Sequence, residues 1–123
     1  MMKVAVSALG PTLDDRVDER FGRAMWFIIA EAGGETFEAF ENAANRNALQ
    51  GAGIASAELV SEKGAEAVIT GHLGPKAFAA LGAAGIPGYN GAGMTVREAL
   101  SALAEGSLAA LAEAGEEYSH REG

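Results

Sequence analysis

The chain has no cysteine, and that absence excludes more than any other feature of its composition. Disulfides, thiolate zinc sites and cysteine-ligated iron–sulfur clusters are all closed to it. Histidine occurs twice, so imidazole chemistry has few places to sit. Cationic side chains are in the minority: nine Lys and Arg against seventeen Asp and Glu give a formal charge of −8. A duplex-binding protein carries a basic stripe to displace counterions, so nucleic acid is not an expected partner. No long hydrophobic run occurs either. The opening Met1-Met2-Lys3-Val4-Ala5-Val6-Ser7 is too short an apolar stretch for a signal peptide or a membrane span. The expectation is a soluble, cytoplasmic protein with no membrane partner.

What is present suits one α/β domain. The 123 residues are 49% hydrophobic, enough for a real core. A single domain is expected over residues 1–114, with a polar tail at 115–123. Lys3 to Leu9 reads as a strand stopped by Gly10-Pro11, and Thr12 to Arg23 as a long polar connection. Met25 to Ala32 is apolar on successive residues, a strand buried on both faces. Gly33-Gly34 signals a two-residue hairpin into a third strand, Glu35 to Glu41, whose glutamates suit a protected edge. Asn42 to Gln50 reads as a loop, Gly51 to Lys63 as a helix closed by Gly64, and Glu66 to Thr70 as a strand. Pro75 opens a second helix ended by Gly85. Ile86 to Asn90 is another strand, with Pro87 arguing for an edge. Thr95-Val96-Arg97-Glu98 matches a capping box ahead of an amphipathic helix. After Gly106, Leu108, Leu111 and Ala112 suggest a weaker helical stretch. Right-handed crossovers then give a mixed five-stranded sheet of order 3-2-1-4-5, with strand 2 antiparallel to the rest.

Four glycine-bearing turns fall where strands hand over to the next element. They are Phe21-Gly22-Arg23, Gly51-Ala52-Gly53, Gly71-His72-Leu73-Gly74 and Gly91-Ala92-Gly93. In the order 3-2-1-4-5 they share the rim at the carboxyl ends of the parallel strands, where open α/β sheets bind ligands. Glycine lets backbone approach a ligand closely, and a helix start offers N–H groups to an anion. The candidate ligand-binding residues are therefore Arg20, Gly22, Arg23, Asn45, Gly51, Gly53, Gly71, Gly74 and Asn90. His72, inside the third turn, is the candidate metal ligand, or else an exposed loop histidine. Arg16, Arg20 and Arg23 concentrate positive charge suited to a phosphate, carboxylate or anionic cluster. They could equally pair with Asp14, Asp15, Asp18 and Glu19 in the same loop. Asn42, Asn45 and Asn47 serve either a ligand or the turns before the next helix. Phe21 and Trp26 read as core, and His120 as a tail residue.

The motifs taken together resemble the dinitrogenase iron–molybdenum cofactor biosynthesis family, the accessory and cofactor-carrier domain of Nif-type proteins. The stretches that carry the resemblance are Lys3-Val-Ala-Val-Ser7, Asp18-Glu-Arg-Phe-Gly-Arg23, Asn45 through Gly51-Ala-Gly-Ile54 and Ala67-Val-Ile-Thr-Gly71 with Gly74-Pro75. Ala84-Gly-Ile-Pro87 and Thr95-Val-Arg-Glu-Ala99 complete it, and together they span roughly residues 3 to 106. The resemblance implies a ribonuclease H-like α/β fold of three layers. It also implies a non-catalytic protein that binds an iron–sulfur or iron–molybdenum type cluster, or a small anionic ligand, and passes it to a protein partner. With no cysteine, a cluster would rest on His72, carboxylates or exogenous ligands, and weak, labile binding is expected.

Two other classes of function stay open beside the carrier. One is an interaction or regulatory module with no metal. The other is an enzyme acting on a small phosphorylated substrate, for which no general base is evident beyond His72. Nuclease activity is excluded. A ribonuclease H-type site needs carboxylates on its central strands, and Lys3 to Leu9 and Ala67 to Gly71 have none. Neither a Ser/His/Asp triad nor a phosphate-loop lysine motif can be assembled.

Overall fold

In the computed structural model, which describes residues 2–48 and 50–112, the central strand is β1 (Lys3–Ala8). Its antiparallel neighbour β2 (Trp26–Glu31) pairs Val4 with Ala30 and Val6 with Ile28. On the other side β4 (Ala67–Thr70) runs parallel to it, with Val6 opposite Ile69. β3 (Phe37–Glu41) and β5 (Gly88–Asn90) flank these, giving one sheet of order β3-β2-β1-β4-β5 with β2 opposed to the others. This is the topology expected from the sequence.

Period-two alternation sorts the strand residues into two cores. Ala5, Phe27, Ile29 and Val68 face α2 (Ala52–Glu62) and α3 (Pro75–Ala83), burying Ala57, Val60, Ala77 and Leu81 with them. Val4, Val6, Ile28 and Ile69 face the opposite way, against Val96, Ala99 and Leu100 of α4 (Val96–Glu105). The layers are two helices, the sheet and one helix. α4 starts at the expected capping box: Thr95 accepts from the Glu98 amide while the Glu98 carboxylate accepts from the Thr95 amide. The Val96 and Arg97 amides donate to the carbonyls of Asp15 and Leu13. The start of α4 is therefore consumed by the preceding loop.

Four local readings are corrected. The β2–β3 turn is not a two-residue Gly33-Gly34 hairpin. The Gly34 amide donates to the Glu31 carbonyl, so Ala32 and Gly33 are the central pair, and Gly33 has φ +80. Positive φ at the second central residue is the type II pattern, and pairing resumes only at Phe37. The Asn-rich segment holds a one-turn helix, α1 (Ala43–Arg46), rather than being loop throughout. The connection from Thr12 to Arg23 is also less polar in practice than in sequence, because it buries Leu13, Val17, Asp18 and Phe21.

The fourth correction concerns the stretch after Gly106, which is extended rather than helical. Gly106 ends α4 with φ +77, and the chain then runs back along β5. The Asn90 amide donates to the Ala109 carbonyl and the Leu111 amide to the Gly88 carbonyl. In extended chain a three-residue spacing points to opposite faces, so Leu108 packs on one core and Leu111 on the other. The edge inferred from Pro87 is thereby covered. The expected tail, residues 115–123 with His120, lies outside the described residues.

Candidate functional site

The loop between β1 and β2 folds over the carboxyl end of the sheet and is fastened there. The Leu9 amide donates to the Arg16 carbonyl and the Asp18 amide to the Ser7 carbonyl. The Ser7 hydroxyl donates to the Asp18 carbonyl at 2.6 Å, under cover of Thr70. At the loop's far end Gly22 lies against the start of α2. A Cβ on Gly22 would stand 2.8 Å from the Gly53 amide nitrogen, and one on Gly53 would stand 3.1 Å from the Ala77 Cβ. Loop, α2 and α3 can meet this closely only because two of the three contact points lack side chains. Beneath the contact, the buried Asn42 side chain donates to the Ala24 carbonyl at 3.0 Å and Asn45 donates to the Asn42 oxygen at 2.9 Å.

Where the three elements splay apart they leave a cleft of about 1020 Å³. Arg20, Gly22, Arg23, Gly51, Gly53, His72 and Gly74, all expected at a site, line it. Asn45, Gly71 and Asn90 are not among its lining residues. Asn45 braces Asn42, and Asn90 accepts from the Ala92 amide to close a turn. Gly71 lies under the loop, where an added Cβ would meet the Glu19 Cβ at 2.6 Å. The fourth glycine turn reaches the cleft only through Gly93.

Three lining residues that sequence reasoning passed over matter chemically. Lys76 is the second residue of α3, and Pro75 before it was the available signal: a proline that fixes a helix start also places the next side chain beside it. Leu9 and Ile54 are 45% and 40% exposed and bring apolar surface to the same cleft. Nothing in their local sequence marks them out, because each reads as a core residue.

Arg16, Arg20, Arg23 and Lys76 put four of the chain's nine Lys and Arg residues around one cavity. Each arginine is tethered inside the protein. Arg16 donates to the Gly93 carbonyl at 2.9 Å and Arg23 to the Ala48 carbonyl at 2.9 Å. Arg20 grips Asp18 through two nitrogens, each at 3.1 Å. Of the loop pairings considered from sequence, this is one that forms; Asp14 pairs instead with Arg97, at 3.1 Å. That carboxylate contact raises the Arg97 pKa above its ordinary value. The starts of α2 and α3 also line the cleft, and neither has a side-chain cap, in contrast to α4. Their first N–H groups and the positive end of each helix dipole add to the field of the four cations.

Metal chemistry has less support from the side chains. Among the described residues no three His, Cys, Asp or Glu side chains gather as a metal site. His72, half-buried on the cleft wall, offers one donor ring. The arrangement is suited to hold a multiply charged anion by outer-sphere contacts rather than to build a coordination shell.

A model of the family described as dinitrogenase iron–molybdenum cofactor matches residues 2–106. The apo form of the orange protein from Desulfovibrio gigas is 40% identical, with a TM-score of 0.89 over 94% of this chain and 98% of that one. A Thermotoga protein with a provisional NifB assignment is 35% identical, with a TM-score of 0.81 over 95% of this chain and 99% of that one. An uncharacterised protein of Methanocaldococcus jannaschii is 34% identical over 111 residues, 88% of this chain and 90% of its own.

Proposed function

Because the chain belongs to the dinitrogenase iron–molybdenum cofactor family, we propose that it is a non-catalytic carrier which holds an anionic metal cofactor as cargo in the cleft at the loop–α2–α3 junction. One observation carries this reading: four cationic side chains, against the two carboxylates Asp18 and Glu19, and two helix starts without side-chain caps surround a single cavity in a chain of net charge −8. An acidic protein has no general reason to gather its cations. A bound anion supplies one. The cavity of about 1020 Å³ is at the upper end of small-ligand sites, so a lone tetrahedral oxyanion would fill only part of it and room remains for a bulkier cargo.

The cargo class is an iron–sulfur or molybdenum-type cluster, or an anion of like charge. Without cysteine it is held by charge, hydrogen bonds and the apolar wall, with His72 as the one imidazole donor. Such a hold is readily reversed, which suits delivery rather than storage. A protein that receives the cargo belongs to this reading, and exposed Leu9 and Ile54 would give it an apolar contact beside the cleft. The ribonuclease H-like description of the fold and a cytoplasmic setting are parts of the same proposal.

The test is titration of wild type, Arg23→Gln and Lys76→Gln with sulfate, phosphate and molybdate, each paired with a thermal melt. A charge-assisted bond to an anion is worth roughly 1.5–3 kcal/mol, so each variant should lose about tenfold or more in affinity. Both side chains are exposed, and the melting temperature should barely move. Unchanged affinity in both variants would remove the cleft from the ligand reading. Anaerobic reconstitution with iron and sulfide, then desalting and metal analysis, tests the cluster. Tight stoichiometric retention that survives His72→Ala would exclude His72 as its anchor.

A further inference from the structure

Asp18 is 2% exposed, and it is the one Asp or Glu among the buried residues described. Its carboxylate accepts four hydrogen bonds, two on each oxygen. Oδ1 takes the Arg20 amide and the Arg20 Nε, and Oδ2 takes the Arg20 Nη2 and the Met25 amide, all at 3.1 Å. The main chain of the same residue is fixed to the sheet: its amide donates to the Ser7 carbonyl, and its carbonyl accepts the Ser7 and Thr70 hydroxyls. A guanidinium with 47% of its side chain exposed, on the wall of the cleft, is thus bolted through one carboxylate to the ends of β1 and β4.

We propose that Asp18 is a positioning residue for anion binding, which holds the Arg20 fork in its receiving orientation before any ligand arrives. The inference rests on the ligand reading of the cleft. Arginine is a flexible side chain whose ordering normally opposes binding. Here that ordering is completed on folding, because the side-on pair of bonds fixes the plane of the guanidinium as well as its location. Charge alone argues the other way. A buried carboxylate beside a cationic cleft weakens the field on an anion, so its removal would strengthen binding if field were all that mattered. Positioning and field therefore predict opposite signs for one substitution.

The experiment is a double-mutant cycle on molybdate affinity with Asp18→Asn, Arg20→Gln and the pair, together with NMR of the Arg20 Nε–H in each protein that retains it. Asp18→Asn keeps the shape but turns an NH2 group toward donors. We expect it to lose about tenfold in affinity in the wild-type background and nothing, or a small gain, in the Arg20→Gln background. The Arg20 Nε–H should be as ordered as rigid backbone in wild type, with S² about 0.85, and should fall well below that in Asp18→Asn. Tighter binding by Asp18→Asn, or an equal loss in both backgrounds, overturns the positioning role while leaving the ligand reading intact. A mobile Arg20 in wild type overturns it as well. No effect of Arg20→Gln overturns the role of Asp18 while leaving the ligand reading to Arg23 and Lys76, whereas failure of wild type to bind molybdate removes both. Should Asp18→Asn not fold, Arg20→Lys takes its place. It keeps the charge but cannot make the side-on pair, and wild-type affinity in that variant would overturn the proposal.

Discussion

At Gly22 the absence of one carbon decides how three elements meet. The nearest neighbours of an added Cβ are backbone atoms, the Gly53 nitrogen at 2.8 Å and the Gly53 Cα at 2.9 Å, which cannot turn aside as a flexible side chain would. Gly22→Ala is expected to cost about 1–3 kcal/mol, the usual range for overpacking. That is a melting temperature lower by roughly 4 °C per kcal/mol for a domain of this size. Because the strain falls between the loop and α2, anion affinity should drop along with stability, which titration and melting on one sample will separate. Gly51→Ala fails by a different route. Open space surrounds that residue, but its φ is +81 at the N-cap of α2, where an L side chain is strained. Thr95→Ala removes the side-chain half of the α4 capping box and should cost about 1 kcal/mol with no effect on anion binding.

Elements differ in how far their sequence announced them. The capping box at Thr95, the proline start of α3 and the apolar run of β2 each carry a local signal strong enough to fix type and place. The segment from Ser107 to Ala112 does not. Leu108 and Leu111 stand at a spacing that fits one helix face or two sheet faces, and the choice is made by the exposed edge of β5 and by the αL turn at Gly106. That edge is distant in sequence, so no local pattern could report it. Leu111→Ala tests the docking. The side chain packs beside Gly88 and the first core, and its loss should lower stability by about 1–3 kcal/mol, less than for a fully buried leucine. Hydrogen exchange at the Asn90 and Leu111 amides should accelerate in the variant while β1 stays protected.

For the whole molecule, strand order and the shared rim were legible because a hairpin and right-handed crossovers leave few alternatives, and those rules act on element order rather than on side chains. The cleft was legible only in outline. Sequence placed Arg20, Arg23 and the glycines near one another but could not separate the Gly71 and Asn90 turns, which are spent on packing and turn closure, from Gly51 and Gly74, which line the cavity. Lys76, Leu9 and Ile54 come from three different elements, and only tertiary packing brings them to one wall. The burial of Asp18 was hidden for the same reason. A carboxylate in a charged loop looks like surface until the loop folds over and buries it.

Setting a cationic cleft in an acidic chain also has a kinetic consequence. How much of the protein an approaching anion senses depends on the screening length of the medium, about 30 Å at 0.01 M salt and about 8 Å at 0.15 M. In dilute buffer the anion meets the field of the whole chain, with its charge of −8, and is pushed away before it reaches the cleft. Near physiological ionic strength the distant carboxylates vanish from its view, and what remains is the cleft itself, where three arginines and Lys76 outnumber Asp18 and Glu19. Stopped-flow association of molybdate should therefore accelerate as salt rises from the lowest concentrations, pass through a maximum, and slow once the cleft itself is screened. A cleft without local positive charge would give no falling limb, and Arg23→Gln combined with Lys76→Gln should flatten it. Salt, usually the enemy of ionic recognition, would over that first range act as its usher.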